Sequence, residues 1–201
     1  MGSRPFRRCT VIKRKIGVVG SAGGELPQHA LEKSRELGRE IARRGCIIVT
    51  GACPGLPHAA VQGATEEGAI AIGISPALCL DEHRERYSSP YEEYDALIFT
   101  GSGLMGREVE VVRTADIVIT VGGRSGTLGE FAIAYDDGNV IGVLLGTGGI
   151  SDKLHEIVGH IRKETGAEIF YAEDPHDLLD QTLECHDRRI RQGTAYRINE
   201  S

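Results

Sequence analysis

Residues 115–137 read ADIVITVGGRSGTLGEFAIAYDD. An apolar, β-branched run leads into three closely spaced glycines (Gly122, Gly123, Gly126) and then into a helix-forming pattern. β-Branched residues favour extended backbone, and glycine permits the sharp turn from strand into helix. The stretch therefore reads as strand, glycine-rich loop and helix, one half of a parallel-sheet unit. It also carries the chemical question. Free amides at a helix start, with the positive end of the helix dipole, favour an anion such as phosphate, and the Thr127 hydroxyl adds a donor. Yet Thr127-Leu-Gly-Glu130 also spells a T-x-x-E capping box, in which Glu130 bonds back to the Thr127 amide at the start of a helix over 127–137. Local pattern leaves both readings open, and the glycines ahead of the box tilt the balance toward phosphate.

Outward from this stretch the same alternation repeats. Apolar runs at 16–21, 46–51, 69–76, 96–101, 116–123, 139–146 and 168–172 predict strands. Helical patterns fall at 30–45, 56–68, 104–115, 127–137, 151–166 and 174–193. Gly45 reads as a helix stop, Ser151 as an N-cap, and Asp174-Pro175 as a cap followed by a first-turn proline. The strands are nearly continuous apolar runs, the pattern of strands buried on both faces. Alternation of strand and helix predicts an α/β, Rossmann-like doubly wound fold: a mostly parallel sheet of about seven strands with helices on both faces. A single domain is expected over 15–193, between a flexible basic arm (1–14) and a tail (194–201). The polar stretch 77–95 is long for a connection, hence functional or partly helical.

Ligands in such sheets sit beyond the carboxyl ends of the strands. The loops there (20–25, 50–58, 100–108 and 121–130) are rich in Gly, Ser and Thr, whereas the opposite turns are plain helix stops. This asymmetry predicts one ligand-binding edge, with Ser21, Gly51 and the segment Gly122, Gly123, Arg124, Ser125, Gly126 and Thr127 as phosphate- or nucleotide-binding candidates. Cys53 reads as a small buried hydrophobe and His58 as a surface or capping residue.

Bulk properties narrow the function. A net charge of −6 and an aromatic content of 5% argue against a nucleic-acid surface. Five scattered cysteines without a C-x-x-C pair fit a reducing cytoplasm, and no apolar run is long enough for a membrane span. The glycine loops lack both the Walker Gly-Lys-Ser/Thr and the G-x-G-x-x-G dinucleotide fingerprint. No His, Cys or carboxylate set has zinc spacing. Every lysine lies in the N-terminal segment or on a charged helical face, so a Schiff-base lysine for pyridoxal phosphate is not expected.

The segment GGRSGTLGE (122–130) resembles the P-G-G-x-G-T-x-x-E signature of the LONELY GUY (LOG) family, formerly labelled lysine decarboxylases. Arg107 stands nine residues before Asp116, where that family has an arginine. The likeness runs from IGVVGSAGG through VIGVLLG and leans to the bacterial LOG-like branch related to molybdenum-cofactor carriers, which writes R-N-x-x-V-V-x-x-A-D before the signature. The resemblance implies a cytoplasmic, Rossmann-like homodimer that binds a nucleoside 5′-monophosphate or a related phosphorylated small molecule, without metal or cofactor. In active members the N-glycosidic bond is hydrolysed to free base and ribose 5-phosphate. Carried over by position, Glu130 is the catalytic carboxylate, Arg107 its charged partner, and Gly123, Gly126 and Thr127 hold phosphate. The alternative within the family is a carrier that binds without turnover. Gly122 replaces the leading proline, Arg124 replaces a glycine, and Ala52, Cys53 and Pro54 stand where the family prefers glycines. These departures bear on hydrolysis more than on binding. Arg124 facing the pocket would suit a larger anion such as a pterin cofactor.

Overall fold

The computed structural model describes residues 12–194, so the arm expected over 1–14 and the tail over 194–201 lie largely outside the described residues. The first half of the chain forms β1 (Lys15–Gly20), α1 (Gln28–Arg43), β2 (Ile47–Thr50), α2 (Leu56–Glu66), β3 (Ala71–Ser75), α3 (Leu80–Glu85) and β4 (Ala96–Phe99). The second half forms α4 (Gly103–Thr114), β5 (Ile117–Val121), α5 (Ser125–Asp136), β6 (Val140–Leu144), α6 (Leu154–Val158), β7 (Glu168–Ala172) and α7 (Pro175–Gln192). The seven strands make one sheet in the order β4-β3-β2-β1-β5-β6-β7, with every pairing parallel.

Side-chain alternation builds two cores from one sheet. Ile16 and Val18 of β1, with Ile117 and Ile119 of β5, face α1, α2 and α7. Val19 and Val118 face the opposite way, toward Val111 and Val112 of α4 and Phe131 of α5. Helices α1 and α2 pack close enough that a Cβ on Gly38 would lie 1.8 Å from the Ala60 carbonyl oxygen.

The strand order places the site. From β1 the chain winds outward through β2, β3 and β4, then returns to lay β5 on the other side of β1. The loops leaving β1 and β5 therefore diverge to opposite faces and open a crevice at the carboxyl edge, the switch point where doubly wound sheets hold ligands. Val18 pairs with Ile119 and Gly20 with Val121, which puts Ser21 level with the glycine turn after β5.

Two local expectations are corrected. The helix expected over 151–166 is a 3-10 turn (Ser151–Lys153) followed by the short α6, which stops at Gly159, a residue costly inside a helix. Ser151 caps nothing with its side chain; its hydroxyl donates to the Gly122 carbonyl at 2.7 Å. The 77–95 stretch is partly helical, in line with one of its two readings: it contains α3 and is pinned by a buried histidine. His83 Nδ1 lies 2.8 Å from the Ser75 hydroxyl, and its Nε2 lies 3.0 Å from the Pro90 carbonyl. No described helix is long and apolar enough to cross a membrane.

Candidate ligand-binding site

The crevice holds a cavity of about 310 Å³, lined by residues of all four glycine-rich loops. That volume is at the small end for ligand sites and suits a mononucleotide-sized molecule rather than a dinucleotide. Ser21, Gly51, Arg107, Arg124, Ser125, Gly126, Thr127 and Glu130 all line it. Among the sequence candidates, Gly122 and Gly123 do not.

The two glycines instead shape the turn. Both adopt positive φ, +60° and +102°, a region that suits glycine. Their amides are already bonded inside the protein: Gly122 N–H donates to Thr147 Oγ1 at 2.8 Å and Gly123 N–H to Ser21 Oγ at 2.6 Å. The Gly122 carbonyl also accepts from the Ser151 amide and hydroxyl. Ser21 thus acts as a clamp between the β1 and β5 loops.

The clamped turn starts α5 at Ser125, two residues earlier than the capping-box reading. Thr127 is then the third helical residue, and the box does not form. The N-cap position is Arg124, and no side chain caps this helix. The first described intrahelical bond runs from the Leu128 amide to the Arg124 carbonyl. The amides of Ser125, Gly126 and Thr127 precede it, so they are the orphan donors of the helix start. They lie where the cavity opens, with the dipole's positive end behind them.

Freed from the box, Glu130 meets Arg107. The Arg107 Nη1 donates to Glu130 Oε1 at 3.1 Å, with the two residues only 8% and 5% exposed. Arg107 does not pair with Glu110, which accepts from the Ser102 hydroxyl instead. The guanidinium rests on Gly51, where a Cβ would lie 2.3 Å from Nη1, so a side chain at that point would push the guanidinium aside. Its Nε is buried with no hydrogen-bond partner among the described residues. Burial pushes the Glu130 carboxyl up to about 7, the Arg107 charge opposing the shift and Glu108 adding to it. A buried carboxyl that titrates near neutrality beside a guanidinium can bind, donate or accept a proton.

Glu108, Leu104, Pro57 and Cys53 also line the cavity, and sequence reasoning did not select the first three. The signal for Glu108 was present, since it adjoins Arg107 on the same helix, but a single acidic residue on a helix reads as solvated. Cys53 conforms to its small-hydrophobe reading in one respect: burial pushes its thiol up to about 11, away from the reactive thiolate. His58 sits on α2 with its Nε2 3.1 Å from Glu93 and does not line the cavity. Asp174, His176 and Asp177 bring possible ligand atoms within 4.8 Å of one another, but all are exposed and Asp174 is engaged as the cap of α7.

Residues 13–179 match the SLOG cluster4 family. An uncharacterized protein of Archaeoglobus fulgidus is 31% identical over 133 residues, covering 65% of this chain and 79% of that protein. Among solved structures, the protein TM1055 aligns with a TM-score of 0.74 at 28% identity, over 86% of this chain and 99% of the other. The molybdenum cofactor binding protein of Rippkaea orientalis aligns with a TM-score of 0.70 at 26% identity, over 86% and 97% of the two chains. The parallel sheet, the crevice beside β1 and the family match over most of the length agree: the chain belongs to the SLOG cluster4 family.

Proposed function

We propose that this protein binds a phosphorylated small molecule, a pterin cofactor of the molybdenum type or a mononucleotide, and carries it without turnover. One observation carries the reading: the uncapped start of α5 opens into a cavity that also receives a buried Arg107 with an unpartnered Nε. Orphan amides and a desolvated guanidinium are complementary to phosphate. Arg124, exposed at the cavity mouth, supplies a second cation for a ligand larger than phosphate alone. The likeness to the Rippkaea orientalis molybdenum cofactor binding protein supports the pterin class. Isothermal titration of the purified protein with molybdenum cofactor, and with AMP as the nucleotide arm, tests this. Saturable binding that is lost on Arg107→Ala is expected; absence of binding by either ligand overturns the reading.

A second reading, LOG-like nucleoside 5′-monophosphate phosphoribohydrolase, is favoured by the Glu130 carboxyl near 7. In that reaction water attacks the anomeric carbon, the C–N bond breaks, and the base nitrogen leaves with its electron pair and takes a proton. Ionised Glu130 would stabilise the oxocarbenium-like ribose and activate the water, with Arg107 holding the carboxylate in place. Release of free base from AMP, abolished by Glu130→Gln, establishes turnover. Binding without release leaves the carrier.

A further inference from the structure

Arg107 and Glu108 are consecutive on α4, and both are buried against the cavity. Their fates differ. Arg107 is paired with Glu130, whereas the carboxylate of Glu108, only 7% exposed, accepts no hydrogen bond and has no cation within ion-pair distance among the described residues. Burial raises its carboxyl above the ordinary range, and the nearby Arg107 charge only partly opposes this. Its oxygens are not sealed from solvent and border the cavity, so a ligand that displaces the water there has to supply donors in its place.

The surrounding helix is shaped around it. A Cβ on Gly126 would lie 3.1 Å from one Glu108 oxygen, and a Cβ on Gly129 would lie 3.0 Å from the other. These glycines are three residues apart, hence on one face of α5, and they leave a slot for the carboxylate. The slot flanks the first turn of the helix whose free amides form the anion cradle. A phosphate on those amides would put the next part of the ligand within reach of Glu108. A second anion is repelled there, while a hydroxyl donor is favoured.

We propose that Glu108 is a specificity-determining residue that accepts hydrogen bonds from the hydroxyl groups of a sugar-like ring carried directly behind the phosphate. The proposal rests on the cavity being a phosphoryl-ligand site. It narrows the ligand to one whose phosphate is attached to a hydroxylated ring, and it distinguishes Glu108, which reads donors, from Arg107, which reads the anion.

Competition calorimetry on the full chain, in EDTA, uses inorganic phosphate, AMP and 2′,3′-dideoxy-AMP. The wild type is expected to prefer AMP over the dideoxy compound by at least about tenfold, the scale of one charge-assisted hydrogen bond. Glu108→Gln is expected to narrow that ratio to about twofold while keeping or strengthening phosphate binding, because it removes a negative charge beside the cradle. Glu108→Asp restores part of the preference. A purely structural Glu108 would weaken all three probes together and leave the ratio intact, which overturns the proposal. Equal wild-type affinity for the two nucleotides overturns it without the variant, should Glu108→Gln fail to fold. Preference that appears only with added magnesium also overturns it, in favour of a bridging cation. If the wild type binds none of the three but binds molybdenum cofactor, this proposal fails and the phosphoryl-site reading stands; if it binds none of the four, both fail.

Discussion

Two helix starts in this protein look alike in sequence and differ in the fold. At α7, the Asp174 side chain accepts hydrogen bonds from the amides of His176 and Asp177, at 2.8 and 3.2 Å. Pro175 occupies the first turn, where the absence of an N–H costs nothing. That helix satisfies its own donors and presents nothing to a ligand. At α5, Thr127 and Glu130 have the spacing for the same service, yet neither caps the helix, and its amides open into a cavity. A helix that leaves its start uncapped forgoes stability of about 1 kcal/mol. Its amides are left free as donors beside that cavity.

The largest test of this contrast removes the cation that faces the open start. Arg107→Ala is expected to reduce affinity for a phosphorylated ligand by on the order of 100-fold, measured by calorimetry, because a buried charge-assisted contact is lost. Next, Arg124→Asp gives α5 the kind of cap that α7 has. Phosphate affinity is expected to fall by about tenfold or more, while thermal stability holds or rises, since an acidic cap satisfies the amides and favours the dipole. A variant with weaker binding and markedly lower stability would show that Arg124 supports the fold rather than the site.

Glu130 sharpens the comparison through pH. Its folded-state carboxyl lies near 7, above the ordinary 4.5, so folding favours the protonated form. The stability linked to this group is fully present below about pH 4.5 and is lost as pH rises through about 7. Relative to Glu130→Gln, wild-type stability should decline across that window by up to about 1.4 kcal/mol per pH unit in urea unfolding. Groups shifted the other way, such as Glu168 beside Arg188 and Arg189, are common to both proteins and cancel in the difference. A flat difference would show that Glu130 is ionised throughout. The smallest effect is at the closed start: Asp174→Ala should cost about 1 kcal/mol of stability and leave phosphate affinity unchanged.

What could be read in advance follows the same division. Gly45 ends α1 in the left-handed conformation and Asp174 caps α7, because both devices act within a few residues. The edge that holds the cavity was legible in its glycines, serines and threonines, and the pairing of Arg107 with Glu130 through a family resemblance. The capping box misled because the geometry of the turn depends on Ser21, 102 residues before Gly123, and on Thr147, 25 residues after Gly122. Glu108 was missed because its burial depends on Gly126 and Gly129, carried by another helix.

The sequence by itself determined the alternation of strands and helices, and with it a parallel sheet with a single glycine-rich edge, because apolar periodicity and helix stops are local properties. Only the tertiary structure decided which amides stay free, and that Glu108 is left without a partner. Those outcomes depend on the segments that follow β1, β2, β4 and β5 converging on one crevice. Hydrogen bonding and burial there are fixed by residues far apart in the chain.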